Sequence, residues 1–526
     1  MKIGRARSFA GSEPVLLLVG LATPLLFYGL GRYSVVNGDE AIYHAVAVHM
    51  LESGDWLQLV FRGAVREYDT FMNAPLQYWV RAGLIALFGD SAWTMRALSA
   101  GMGVGSVWMT WRLGVALGDR RAAFCAGVVQ LTTFQFVYLH GARTGELEST
   151  LCVLLTLCAL FLLRALVEHR GFVAHHVCVA LLMSIKLPTA VIPLLAGVAV
   201  FALVPSARGR ARDSLGTALC VLPLGALWHV WNVASDPEAF LRVAGVMAAQ
   251  ASGQAAITGP PGVFENLRFY ATALFFGAFP WSIVYPSALA VLVSRARRGE
   301  TGLRVVGGFI LAIAVFYLLI GKRFPWYVIS LYPFLSLCVG LWLADLSRAR
   351  PTGVALAIGS LVASLTVFVS VAATSLNPFA EQASRIAMLP AWRVGPAAGP
   401  LLALTATALL WMAARVAANR WPAVRSPGLA VGLGALLLAT AGVRVAAPLV
   451  HVGHESAVEQ LRDELAASRT AGRDIAWPVR VPGSPPPVWI ARYYLGEHYE
   501  LERMKDGSRD ELWLRGPLRA SRSHDP

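Results

Sequence analysis

Apolar residues in this chain gather into runs long enough to cross a bilayer, with the polar residues collected between them. At roughly 20 apolar residues per crossing, helices are predicted near 13–32, 96–117, 122–139, 149–167, 172–187, 189–205 and 213–232. Further helices are predicted near 267–293, 303–320, 325–345, 352–373, 398–416 and 427–447. The pattern predicts an all-α polytopic membrane protein of about 13 spans. The run 75–88 is short and is interrupted by Gln77 and Arg81. It is read as an interfacial helix rather than a crossing. A second interfacial helix is expected over 40–52, ended by Gly54. Both belong to one large outer loop, 33–95.

Beyond about residue 447 the pattern turns polar. A helix is expected from His454-Glu455 to Ala467, then strands over 474–481 and 488–494 around the Pro485-Pro486-Pro487 break. The expected organisation is a transmembrane domain, 1–447, and a small C-terminal α/β periplasmic domain, 448–526. The second piece is near the lower size limit for independent folding.

Composition agrees with the pattern. The chain is 56% hydrophobic and 14% charged, against about 25% charged in soluble domains. A net charge of +14 invites a nucleic-acid reading, but the basic residues lie in short clusters between apolar runs. Such clusters are Arg120-Arg121, Arg164/Arg170, Arg208/Arg210/Arg212, Arg295/Arg297/Arg298, Arg348/Arg350 and Arg415/Arg420/Arg425. With the N-terminus inside, all fall on the cytoplasmic side, and an odd span count puts the C-terminus outside. That is a topology signal, so no nucleic-acid partner is expected. Lys2, Arg5 and Arg7 before the first run suggest a retained signal anchor. The six cysteines all sit in apolar stretches and read as packing residues.

The outer face carries the candidate chemistry. Asp39-Glu40 follow the first span, with Tyr43 and His44 behind them. Arg143-Thr144-Gly145-Glu146-Leu147-Glu148, Lys186 and Lys322-Arg323-Phe324-Pro325-Trp326-Tyr327 fall on the same side. Carboxylates at a membrane surface are costly and usually have a task or a partner. A carboxylate can take the proton of an attacking hydroxyl or amine. Lysine and arginine can hold a phosphate and stabilise it as it leaves. Those are the two tasks in moving a sugar from a polyprenyl phosphate. A lipid-linked-sugar transporter or flippase needs the basic groups but has less use for the acids, and a non-catalytic binding protein needs neither task.

Plainer readings stand beside each residue. Asp39 also suits a helix N-cap, and Glu40 the first turn of a helix. Arg143 and Glu148 can pair with each other. Lys186 can snorkel to head groups, and Tyr327, Trp326, Trp79 and Trp281 can belong to an interfacial aromatic belt. Glu146 reads as a solvated loop acid. His175-His176 read as interfacial, and His44 and His49, five apart, make a poor ligand pair.

The chain resembles the GT-C fold glycosyltransferases that use polyprenyl-phosphate sugars, in the group of the lipid A aminoarabinose transferases and protein O-mannosyltransferases. The matching stretches are Gly38-Asp39-Glu40-Ala41-Ile42-Tyr43, Leu51-Glu52-Ser53-Gly54-Asp55-Trp56 and Pro75-Leu76-Gln77-Tyr78-Trp79. Others are Arg143-Thr144-Gly145-Glu146-Leu147-Glu148, Lys186-Leu187-Pro188, Phe279-Pro280-Trp281-Ser282, and Lys322-Arg323-Phe324-Pro325-Trp326-Tyr327 with Tyr332-Pro333. Each is weak alone; their order over 14–345 carries the resemblance. It implies a bacterial inner-membrane enzyme that takes a sugar from undecaprenyl phosphate. The acceptor would be a lipid, glycan or protein on the periplasmic side, reached by direct displacement with inversion at the sugar carbon. Asp39 would be the catalytic base, supported by Glu40, with Glu148 in the place of a second acid. Arg143, Lys186, Lys322 and Arg323 would contact phosphate or fix the acids. Tyr327 and Tyr43 complete the implied substrate-binding set. At Phe71-Met72-Asn73-Ala74-Pro75 the chain departs from the aminoarabinose transferases, which carry a Glu-Lys pair there that serves metal and phosphate. No cofactor is therefore named, and a divalent metal is left unassigned.

Overall fold

The computed structural model describes residues 13–32, 35, 38–59, 73–252, 262–347, 457–471, 479–480, 499–506 and 509–517. The first helices are α1 (Glu13–Phe27), α2 (Gly38–Ser53), α3 (Leu76–Phe88), α4 (Ala92–Ala116), α5 (Arg120–Leu131) and α6 (Phe134–Tyr138). They are followed by α7 (Glu148–Glu168), α8 (Phe172–Lys186), α9 (Val191–Leu203), α10 (Ala211–Ser235) and α11 (Pro237–Ala251). Then come α12 (Val263–Ala278), α13 (Tyr285–Arg297), α14 (Thr301–Leu319) and α15 (Tyr332–Ser347). Among the described residues, the stretches Glu148–Glu168, Phe172–Leu203, Pro205–Ser235, Thr301–Leu319 and Pro325–Asp345 are helical, long and apolar enough to cross a membrane. The expected spans near 352–373, 398–416 and 427–447 lie outside the described residues.

Two predicted spans are broken. The stretch 122–139 divides into α5 and α6 at Thr132-Thr133, whose hydroxyls donate back to the Val128 and Val129 carbonyls. Such back-bonding competes with helix continuation. The stretch 267–293 divides into α12 and α13, because Pro280 has no amide to continue α12. Pro286 then occupies the first turn of α13, where a missing amide costs nothing.

The run 172–203 folds back on itself. Thr217 of α10 meets His176 at the start of α8 (2.9 Å), and His229 of α10 meets the Met183 carbonyl near its end (2.9 Å). The helices α8 and α10 therefore run parallel, and α9 must return between them. The reversal is a tight 3-10 turn at Leu187–Ala190, started by Pro188. Lys186 stands at its tip.

Lipid tails are as apolar as leucine, so helices in a membrane associate through close packing more than through burial. The α5–α15 contact shows this. A side-chain carbon at Gly340 would lie 2.3 Å from the Ala122 carbonyl oxygen, so only glycine fits. His175 and His176, expected at the interface, are instead buried in packing, where His175 Nδ1 meets the Cys158 carbonyl (2.9 Å).

Helices α2 and α3 pack on each other through Ile42, Val46, Met50 and Tyr78. With 13 residues, α3 is about 20 Å long, short of the ~30 Å hydrocarbon core. Gly54 closes α2 at φ 72°, its amide donating to the Met50 carbonyl (3.0 Å). In the C-terminal region, α16 (Ala457–Thr470) precedes an antiparallel sheet of order β1-β3-β2, formed by β1 (Val479–Arg480), β2 (Tyr499–Asp506) and β3 (Arg509–Pro517). The hairpin of β2 and β3 was not expected, since charged residues crowd both strands and blur the alternation that marks a strand. The strand predicted over 488–494 lies outside the described residues.

Candidate active site

One end of the helix bundle gathers the start of α2, the start of α7, the α8–α9 turn and the segment between α14 and α15. The first loop is tied to this end by the Ala74 amide, which donates to the Ile185 carbonyl beside Lys186 (2.9 Å). Trp228 of α10 reaches the Leu57 carbonyl from the other side (3.0 Å).

Asp39 is half-buried in the first turn of α2. Burial raises its carboxyl above the ordinary range, while the charges of Lys186 and then Lys322 oppose that rise. Glu148 stands within electrostatic reach of both Lys186 and Asp39, and its Oε2 accepts from the Leu147 amide (3.1 Å). The Lys186 ammonium sits 5.3 Å from the centre of the Tyr327 ring, which itself stacks on Tyr317 at 4.8 Å. The Lys322 ammonium sits 5.1 Å from the centre of the Phe324 ring. Both cations are attracted to the ring faces they lie over. Burial, and next the charge of Lys186, lower the Lys322 ammonium to about 8, with Asp39 opposing.

Tyr43, one turn after Asp39, packs edge-on against Tyr78 at 5.9 Å and accepts from Asn73 Nδ2 at 3.5 Å. Burial, and then the charge of Asp39, push its phenol well above the ordinary range, so it is a neutral hydroxyl. Asp39, Glu148, Lys186, Lys322, Tyr327 and Tyr43 are thus brought together.

Two expected site residues stand elsewhere. Glu40 is completely buried and accepts from Arg96 Nε and Nη2 at 3.1 Å each, and from the Gly145 amide at 3.0 Å. Helical geometry turns it about 100° away from Asp39, into the protein. Arg143 is also buried: its Nη1 and Nη2 donate to the Leu25 and Tyr28 carbonyls at 2.5 and 2.7 Å. These carbonyls end α1, so Arg143 caps that helix rather than facing Lys186. Arg323 is half-buried on the α12 side, next to Lys322, whose carbonyl accepts from the Tyr270 hydroxyl (3.3 Å).

Glu146, expected to be solvated, is 1% exposed. Burial, and then the charge of Glu40, raise it well above the usual carboxylate range. Its Oε1 lies 3.5 Å from Nδ1 of His140, which burial lowers to about 3. Arg81 and Arg96 were also missed as site-building groups. Arg81 donates to the Met95 carbonyl and, at 2.8 Å, to the Gly145 carbonyl. Their signal in the sequence was a cation set inside an apolar helix, which is costly without a partner.

Asn73 occupies the stretch where aminoarabinose transferases carry the Glu-Lys pair. Among the described residues no group of three or more His, Cys, Asp or Glu side chains has the arrangement of a metal site. The described donor set does not fit a metal.

Residues 72–256 match the family model described as dolichyl-phosphate-mannose-protein mannosyltransferase. A curated relative, an uncharacterized protein of Aquifex aeolicus (strain VF5), is 23% identical over 317 residues. That match covers 60% of this chain and only 60% of the relative's length. Among solved structures, ArnT from Cupriavidus metallidurans bound to undecaprenyl phosphate is similar with a TM-score of 0.60 and 20% identity, over 93% of this chain and 85% of that one. The apo ArnT structure gives a TM-score of 0.62 at 19% identity, with the same coverage. Apolar helices, the partial family match and shape agree: the chain is a multi-pass membrane protein with the fold of ArnT, the GT-C fold.

Proposed function

We propose that this protein transfers a sugar from a polyprenyl phosphate to an acceptor on the periplasmic side of a bacterial inner membrane. The observation that carries the reading is Asp39 within electrostatic reach of two lysines, Lys186 and Lys322, and of a second acid, Glu148. ArnT, a protein with a similar fold, was solved with undecaprenyl phosphate bound.

In the proposed reaction the acceptor's hydroxyl or amine attacks the anomeric carbon. The bond from that carbon to the phosphate oxygen breaks, and its electron pair leaves with the prenyl phosphate. The acceptor's proton passes to Asp39. Lys186 and Lys322 stabilise the growing charge on the leaving phosphate. A single displacement of this kind inverts the anomeric centre. Glu148 holds Lys186 and Asp39 in register, and the neutral hydroxyl of Tyr43 is a donor for the sugar or phosphate. Glu40 shapes the site from behind through Arg96 and the Gly145 amide.

The test is transfer of radiolabel from a panel of polyprenyl-phosphate sugars to membrane-extract acceptors, by wild type and by Asp39→Asn. The variant should lose about 10²–10⁴ of the rate, the usual worth of a positioned base. Retained transfer in Asp39→Asn removes Asp39 as the base. Movement of intact donor across the membrane, without bond cleavage, supports a flippase instead.

A further inference from the structure

A column of stacked groups runs from the site into the interior. The Lys322 ammonium lies over Phe324 (5.1 Å), and Phe324 stacks on Trp326 with ring centres 4.4 Å apart and planes 12° apart. Trp326 stacks on His140, 3.7 Å apart with planes 10° apart. His140 Nδ1 faces Glu146 Oε1 at 3.5 Å. The column ends on a rigid base, since the Glu146 carbonyl accepts from Gln77 (3.2 Å) and Ser99 (2.7 Å).

We propose that His140 and Glu146 are a positioning pair that sets where Trp326, Phe324 and, through them, the phosphate-binding Lys322 stand. This rests on the glycosyl-transfer reading only in taking Lys322 as a phosphate group's partner.

Four observations carry it. His140 and Glu146 are 3% and 1% exposed, so neither touches a substrate and any effect must pass through neighbours. His140 has φ 53°, a left-handed backbone uncommon for residues other than glycine. Such conformations persist where surrounding contacts dictate them, often near functional sites. Both oxygens of Glu146 are buried, with the Thr144 hydroxyl beside them and His140 Nδ1 at 3.5 Å from Oε1, a costly place for an acid with no task. Finally, Lys322 lies in a segment without helix or strand hydrogen bonding of its own, between α14 and the 3-10 turn Pro325–Leu331. Its placement therefore depends on side-chain contacts, the Tyr270 hydroxyl on its carbonyl and the aromatics that follow it.

The experiment measures equilibrium binding of radiolabelled undecaprenyl phosphate to the full-length protein in detergent. Lys322→Ala sets the scale, a loss of about tenfold for one charge-assisted contact. His140→Ala removes the stacking face and should cost a similar factor. His140→Phe keeps the face and should restore affinity to within about threefold. Glu146→Leu should weaken binding, and Glu146→Gln, which keeps shape and hydrogen-bonding capacity, should not. The double variant His140→Ala/Lys322→Ala should bind no worse than Lys322→Ala alone, since coupled residues are not additive.

Additive losses in the double variant overturn the proposal, as does wild-type affinity in His140→Ala or failure of His140→Phe to restore binding. Binding without transfer by the wild-type protein counts against the glycosyl-transfer reading and leaves the column intact. No binding by the wild type overturns both.

Discussion

Replacing Glu40 by glutamine tests whether this acid builds the site or works in it. Both Glu40 and Arg96 have side chains that are 0% exposed. Glu40 accepts from Arg96 twice, at 3.1 Å each, and from the Gly145 amide at 3.0 Å. Glutamine preserves the volume but leaves the guanidinium buried without its counter-charge. Breaking a buried pair in this way costs about 3–5 kcal/mol, which is roughly 10²–10⁴ in the folding equilibrium. The assay is SDS titration in mixed micelles, following loss of helical structure. Arg96→Met should cost a similar amount. The double variant Glu40→Gln/Arg96→Met should cost less than the sum by more than about 1 kcal/mol, because neither charge is then stranded. A loss under about 1 kcal/mol in Glu40→Gln, the size of an exposed pair, refutes the reasoning. A variant that folds like wild type yet fails to transfer sugar returns Glu40 to a catalytic role.

Other outcomes follow from the same geometry. The depressed Lys322 ammonium, near 8, is charged below that pH and neutral above it. Donor kcat/KM should hold up to about pH 7 and fall about tenfold per unit above 8; Lys322→Arg should remove that limb, and a flat wild-type profile to about pH 9.5 contradicts it. Arg143→Met should destabilise the fold by about 1–3 kcal/mol in the same SDS titration, through the stranded carbonyls of α1, with undecaprenyl phosphate affinity unchanged; a selective loss of affinity means that it reaches phosphate. Gly340→Ala should cost about 1–3 kcal/mol by forcing α5 and α15 apart, and wild-type stability in that variant contradicts the close approach.

The apolar pattern by itself determined the class of the protein. A run of some 20 apolar residues has few folded options besides a membrane helix, so the helices in 148–347 are legible from hydropathy. The short length of α3, with Gln77 and Arg81 inside it, likewise kept it from being read as a crossing. Alternation of spans placed Asp39, Glu148, Lys186 and Lys322 at one end, because each follows or precedes a helix that returns to that end. Helix breaks were less legible: hydropathy does not register the missing amide of Pro280 or the back-bonding hydroxyls at Thr132-Thr133.

What tertiary structure alone decided was the division of labour among the charges. Asp39 and Glu40 are neighbours of one type, and only the rotation of about 100° per helical residue sends one to the site and the other to Arg96. Arg143 and Glu146 sit in one loop motif, yet one caps α1 and the other ends an aromatic column. Their partners lie up to 118 residues away along the chain. A linear sequence gives the charge of a side chain and its depth in the membrane, but not which distant group desolvates or neutralises it. That depends on the packing of α2, α3 and α4 against the loop between α6 and α7.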